Sequence, residues 1–256
     1  MGLKDYYVAA VKGAIISQYP KANIIDISHN IPPFDIAQAA FVMRNSYKEF
    51  PKGTIHIISV NPEEDEHTDH LVVKHNDQYF IAADNGIFSL IFDGRPKEIF
   101  ALNIDQESDQ LTFPTKHIFV KAACHLARGG TPEVIGKKKK TINERSQFRA
   151  VVEDSVIKGA VIFIDSYGNV VSNIDKRIFN EVGKGRPFTI SYKPTYNITR
   201  IDKKYNDVQE GEKVALFSAG GFLEIAINRG VHGSGGGADQ LFGLKMYDVI
   251  RIDFKK

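Results

Sequence analysis

The sequence predicts an α/β domain followed by a smaller all-β domain, a barrel or a sandwich, with the boundary placed between residues 140 and 141. Three observations carry this. In the first half, short Ile-rich segments alternate with segments of helical period, a Rossmann-like alternation that calls for mostly parallel strand pairing. Beyond Arg149 the pattern changes to short strands separated by turn residues, with no long helical stretch. At 256 residues and 43% hydrophobic positions, the chain can fill two modest cores.

The elements follow in order. From Asp5 to Tyr19 the apolar residues Val8, Val11, Ile15 and Ile16 share one helical face, and Pro20 ends the run. Asn23 to Ser28 reads as a strand, Asp35 to Phe50 as a helix through Ile36, Ala39, Ala40, Met43 and Tyr47, and Thr54 to Val60 as a strand. Leu71 to Lys74 and Gln78 to Ala82 flank His75-Asn76-Asp77 as a hairpin, and His117 to Arg128 is a further helix. Gly136 to Gln147, holding the run Lys137 to Lys140, breaks the periodicity and reads as a solvated linker. In the second domain the expected strands are Gly159 to Ile164, Pro187 to Tyr192, Val214 to Ser218, Leu223 to Ile227 and Val249 to Phe254.

Composition narrows function. Lys plus Arg total 33 against 31 Asp plus Glu, a net charge of +2, which offers no electrostatic footprint for nucleic acid. Cys124 is the single cysteine, so an internal disulfide is excluded and a reducing, cytoplasmic location is expected. No apolar run approaches the roughly 18 to 20 residues that span a bilayer, and no membrane partner is expected.

Ligands in open α/β sheets collect beyond the carboxyl ends of strands, so the segments following strands are where chemistry is sought. Ser28-His29-Asn30-Ile31-Pro32-Pro33-Phe34-Asp35 is one, stiffened by two prolines that hold Phe34. Asn61-Pro62-Glu63-Glu64 is a second, and Asp84-Asn85-Gly86 a third, its glycine serving either a ligand's close approach or a turn. His67, Asp69 and His70 near four acidic residues match no zinc spacing, and no metal or other cofactor is expected. In the second domain Asp165-Ser166-Tyr167-Gly168-Asn169 combines a carboxylate, a ring and an amide around a flexible glycine, which also suits a simple β-turn. Ser218-Ala219-Gly220-Gly221 and the glycine-rich stretch 230–237 could offer backbone N–H groups.

The ordered set Gly2-Leu3-Lys4-Asp5-Tyr6-Tyr7-Val8, Asp26-Ile27-Ser28-His29-Asn30-Ile31-Pro32-Pro33-Phe34-Asp35, Ala83-Asp84-Asn85-Gly86 and Asp165-Ser166-Tyr167-Gly168-Asn169-Val170-Val171-Ser172-Asn173-Ile174 resembles the S-adenosylmethionine hydroxide adenosyltransferase family, related to fluorinase and chlorinase. The resemblance implies an N-terminal α/β domain and a C-terminal β-barrel, and metal-independent hydrolysis of S-adenosyl-L-methionine to adenosine and L-methionine, in a homotrimer whose sites lie between subunits. It also implies roles: Asp165 for the methionine ammonium, Ser218 for its carboxylate, Asn169 for the adenine edge, Tyr167 and Tyr205 for the adenine faces, and Phe34 for the ribose and sulfonium side, with Asp84 and Asn85 also counted among the substrate-binding residues. The halogenating relatives carry a long loop where this chain has His75-Asn76-Asp77, which favours the hydrolase.

Two departures from the family pattern shape the expectations. Hydrolytic members share an Asp-Pro-Gly-Val-Gly stretch followed by arginines, and a His after a Thr-Phe pair; here these positions read Asn61-Pro62-Glu63-Glu64-Asp65, Thr68-Asp69, and Pro114 after Thr112-Phe113. Glu63, Glu64 and His67, beside Asn61, are therefore the candidates for handling water, and the alternative is a non-catalytic protein binding S-adenosylmethionine or adenosine. The family also carries a strand ending in Asp-Phe ahead of Gly-Leu-Lys-Asp, its Asp on the ribose hydroxyls. This sequence begins at the position of that Phe, so the resemblance implies either an upstream segment or a ribose without that carboxylate.

Overall fold

A computed structural model describes residues 2–104, 112–146, 148–233 and 236–255. The chain divides into two compact units, Met1–Ser146 and Gln147–Lys256.

The first unit contains helix α1 (Tyr7–Gln18), helix α2 (Ile36–Ser46) with a 3-10 turn (Tyr47–Glu49), and strands β1 (Ile55–Ile57), β2 (His70–His75) and β3 (Gln78–Ala83). Helix α3 (Ile87–Ile91), strand β4 (Glu98–Leu102), a π-helical turn (Thr115–Phe119) running into α4 (Val120–Ala127), a short α5 (Pro132–Ile135) and strand β5 (Gly136–Lys139) complete it. The sheet order is β1-β3-β2-β4-β5. Alternation along its strands sends side chains to both faces. Leu71, Val73, Phe80 and Ala82 pack under α2 and α3. Val72 and Ile81 pack under Phe119, Ala122 and Leu126 of the π-turn and α4.

Three expectations are corrected here. Pairing is parallel only between β1 and β3, whereas β2 pairs antiparallel with β3 and β4, and β4 with β5. The reason is the β2–β3 hairpin, whose Asn76 and Asp77 both take positive φ (50° and 58°), the two-residue turn that returns the chain at once. Asn23–Ser28 forms no strand: its isoleucines and β1 line a common cavity, and among the described residues no backbone pairs with it as a strand. Residues 136–146 are no solvated linker. Gly136–Lys139 is β5, and Asn143 and Arg145 bind Asp84 and Asn85, so residues 141–146 belong with the first unit.

The second unit is built from β6 (Val151–Glu153), β7 (Val156–Ile164), β8 (Val170–Asp175), helix α6 (Lys176–Gly183), β9 (Phe188–Lys193), β10 (Tyr196–Ile198), β11 (Lys213–Phe217), β12 (Phe222–Ile227), helix α7 (Ala238–Phe242) and β13 (Val249–Phe254). Its strands pair antiparallel in the order β10-β9-β13-β7-β8-β12-β11, with β6 added on β7. The sheet nearly closes into a barrel: Asp202, just past β10, donates its N–H to the Ala215 carbonyl of β11 at 2.8 Å. Ile157, Ile174, Ile190, Leu223 and Ile252 fill the interior. The five expected strands are all present, and β8, missing from the sequence reading, lies beside the candidate loop 165–169. Helix α6 was also unforeseen; the Asp175 side chain caps it by accepting from the Ile178 N–H at 2.7 Å.

Candidate functional site

In the first unit a cavity of about 1190 Å³ opens between α1, Asn23–Ser28, β1 and the loop after β1, and Phe34, Asn61 and Glu63 line it. Phe34 follows Pro32-Pro33, is 73% exposed and takes φ 65°. A bulky residue at positive φ is strained, and this exposed ring stands outside the core. Asp26, at the end of Asn23–Ser28, accepts from Lys12 at 2.6 Å and pairs with His29 at 3.0 Å, and the hydrogen bonds from Lys12 and then His29 hold its carboxyl below the usual range.

The loop after β1 turns at Asn61, also left-handed at φ 45°. Asn85 fixes it, its amide nitrogen donating to the carbonyls of Val60 and Asn61 at 3.0 Å each. Asn85 therefore shapes the loop instead of facing into the cavity. Asp84 is fully buried, its Oδ2 paired with Lys139 at 2.9 Å and its Oδ1 accepting the Asn143 N–H at 2.8 Å, so this carboxylate is an internal strut. Lys139 binds Asp69 as well, at 2.7 Å, so one member of the lysine run is held in ion pairs and only partly exposed. His67 is exposed, its N–H bonded to the Asp65 carboxylate at 2.8 Å. Three residues on, His70 is buried, with a hydrogen bond to the Pro62 carbonyl at 2.7 Å and Glu64 3.7 Å away. The sequence weighs His70 only as a metal ligand, because its place under the loop is set by the pairing of β2. Across the cavity floor, Ser59 Oγ and Thr115 Oγ1 lie 2.5 Å apart, next to Pro114. Among the described residues no group of three or more His, Cys, Asp or Glu is arranged to hold a metal ion, and no helix is long and apolar enough to cross a membrane.

In the second unit Asp165 closes the turn after β7. Its Oδ1 accepts the N–H groups of Tyr167 and Asn169, both at 2.9 Å, and its Oδ2 accepts the Asn169 amide at 3.0 Å. Gly168 holds φ 80° at a point where a Cβ would meet Asp239 Oδ1 at 2.3 Å. The turn thus orders one half-exposed carboxylate, a buried amide and the 60% exposed Tyr167 ring. The register of β8 on β12, Ile225 opposite Val170, sets Glu224 beside it. Glu224 is buried and accepts from the Tyr205 hydroxyl at 2.7 Å. Burial pushes the Glu224 carboxyl up, the Tyr205 hydrogen bond opposes, and the Asp165 charge adds to the rise. Burial and then the Glu224 hydrogen bond raise the Tyr205 hydroxyl. Ser218 sits at the β11–β12 turn, its backbone bonded to Phe222 and Gly221. The fold therefore brings Tyr205 and the Asp165 charge to Glu224, a residue the sequence reading did not single out, while Tyr167 and Asn169 are tied to Asp165. His232 adds to this end of the barrel, its N–H on the Tyr167 carbonyl at 3.1 Å and its Nδ1 paired with Asp239 at 2.9 Å.

Comparison with known proteins assigns the architecture. The model of the SAM hydroxide adenosyltransferase N-terminal domain matches residues 1–136, and that of the corresponding C-terminal domain matches residues 159–251. The chain belongs to the SAM hydroxide adenosyltransferase family. Among relatives in this family, it is similar to an (R)-S-adenosyl-L-methionine hydrolase of Thermus thermophilus, with 27% identity across 98% of this chain and 96% of that protein. It is 23% identical to a fluorinase of Nocardia brasiliensis over 89% of this chain and 88% of the other. The crystal structure of an uncharacterized conserved protein from Thermotoga maritima superposes with a TM-score of 0.86 at 29% identity, covering 98% of this chain and 97% of that one.

Proposed function

We propose that the protein hydrolyses S-adenosyl-L-methionine to adenosine and L-methionine, by in-line attack of water on the 5′ carbon. The observation that carries this reading is the end-to-end similarity to a relative named (R)-S-adenosyl-L-methionine hydrolase, with both family domains in order. The chemistry asks little of the protein at the leaving group. Sulfur departs from a sulfonium as a neutral thioether, so no acid has to protonate it, and the task is to position and partly dehydrate the nucleophile.

In this reading Asp165 pairs with the methionine ammonium, Ser218 with its carboxylate and Asn169 with the adenine edge, while Tyr167 and Tyr205 face the base and Phe34 walls the ribose. Stacking of a base on an aromatic ring contributes roughly 1 to 3 kcal/mol per contact. Tyr205 suits the role because Glu224 fixes its hydroxyl while the residue stays 42% exposed. The loop from Asn61 to Glu64 supplies the groups for water. The protein is further proposed to be a cytoplasmic homotrimer with sites shared between subunits; light scattering that finds a ligand-competent monomer would refute this.

Incubation of the purified protein with the (R) and (S) sulfonium epimers, with adenosine and methionine followed by chromatography and binding measured by calorimetry, tests the function. Stoichiometric release of both products is expected. Tight binding without release would instead support the non-catalytic adenosyl-binding reading, which the replacement of the water-handling residues by Asn61 and Pro114 favours.

A further inference from the structure

His70 begins β2 and is 1% exposed, its ring packed edge-on against Phe119 with centroids 5.0 Å apart. A carbonyl oxygen only accepts, so the 2.7 Å contact to Pro62 requires the proton on Nε2. That leaves Nδ1, which is buried and has no hydrogen-bond partner. Its nearest charged neighbour is Glu64 Oε2 at 3.7 Å, longer than a hydrogen bond. A lone pair on the buried Nδ1 facing a carboxylate oxygen is repelled unless a proton or a bridging water lies between them. Glu64 is the exposed member, 49% accessible, directly after Pro62 and Glu63, which line the cavity. Asp69, the other acid adjoining the ring in sequence, is already bound by Lys139.

We propose that Glu64 is the proton acceptor for the attacking water and that His70, acting through it, is the positioning residue that holds its carboxylate. This rests on the hydrolase reading. In the step, a lone pair of the water oxygen forms the C5′–O bond as the C5′–S bond breaks. The bonding pair goes to sulfur, giving the neutral methionine thioether, and one water proton passes to Glu64 and then to solvent. His70 stays buried throughout and touches no substrate. Its Nε2–H clamps the loop through Pro62, and Nδ1 aims Glu64 by sharing a proton or a water.

The test uses the full chain, with Glu64→Gln, His70→Gln and the double variant. Glutamine at 70 keeps an N–H for the Pro62 carbonyl and loses the second ring nitrogen, so the clamp is kept. Glu64→Gln is expected to lower kcat about 100-fold or more with KM within about threefold, the size of a lost general base. His70→Gln is expected to lower kcat about tenfold, and in the Glu64→Gln background by less than about twofold, because it acts through the group already removed. Unchanged turnover in Glu64→Gln overturns the assignment, and so does a His70→Gln loss that persists in full in the double variant. Nitrogen-15 NMR of the His70 ring gives a readout independent of turnover. Glu64→Gln should shift the Nδ1 resonance and leave Nε2 in place, and an unmoved Nδ1 overturns the pairing. A wild-type protein that releases no adenosine overturns the hydrolase reading together with the base assignment, and the NMR result still decides the pair.

Discussion

Replacing Lys139 with methionine removes the cation paired with a carboxylate that water does not reach. Asp84 is fully buried; its Oδ1 keeps the Asn143 N–H, but its Oδ2 has Lys139 at 2.9 Å as its charged partner. Breaking a buried ion pair from one side costs about 3 to 5 kcal/mol, because the remaining charge is left uncompensated. The second arm, to the half-exposed Asp69, adds less than about 1 kcal/mol. A loss of this size is a third or more of a typical domain's stability, and should lower the melting point of the first unit by roughly 10 °C. The chain has no tryptophan and ten tyrosines, so urea unfolding is followed by far-UV circular dichroism and tyrosine emission. The double variant Lys139→Met with Asp84→Asn should recover at least half the loss, since it removes the stranded charge. Burial works against the Lys139 charge, but its hydrogen bonds to Asp69 and Asp84 outweigh that and raise its pKa. The stabilisation is therefore fully present below the ordinary lysine range and lost as pH rises through the raised value. A cost under about 1 kcal/mol, or a double variant as unstable as the sum of the singles, would refute the strut assignment.

Asp165→Asn keeps an acceptor for the turn and removes the charge; it should weaken S-adenosylmethionine about 10- to 100-fold and adenosine by less than about threefold, measured by calorimetry, while equal losses would make Asp165 a turn residue only. Glu224→Gln retains an acceptor for the Tyr205 hydroxyl, and its stability relative to wild type should grow as pH rises from the ordinary carboxyl range through the raised Glu224 value, because the wild-type folded state holds a proton that the unfolded state has already lost. Denaturation midpoints across pH that stay parallel for the two proteins would contradict this. Gly86→Ala should destabilise the first unit by 1 kcal/mol or more on the order of magnitude of a positive-φ glycine, here at 93° with a Cβ position 2.4 Å from Arg145 Cγ, and a neutral melting shift would show that the Arg145 side chain simply moves aside.

Sequence alone determined what depends on neighbours along the chain. The apolar spacing of α1 and α2, the Asn76-Asp77 hairpin and the five strands of the second unit all follow from local periodicity and turn chemistry, and all are present. So does the Asp165 to Asn169 turn, whose hydrogen bonds lie within five residues. Only tertiary structure decided what depends on partners distant in sequence. A Gly-Lys-Lys-Lys run reads as solvent-facing, yet β4 makes it a strand, and Asp69 and Asp84, 70 and 55 residues away, bind its last lysine. Asn23–Ser28 has the composition of a strand, but a strand exists only where another backbone accepts its hydrogen bonds. The candidate residues of each unit divide the same way: Phe34, Asp165 and Asn169 stand out by motif, whereas His70 under the loop and Glu224 beside Tyr205 are set by strand register. Periodicity specifies which side of a strand a residue takes; the pairing of strands specifies what it meets there, and charge burial, the step that turns a histidine or a glutamate into a working group, is a property of that meeting.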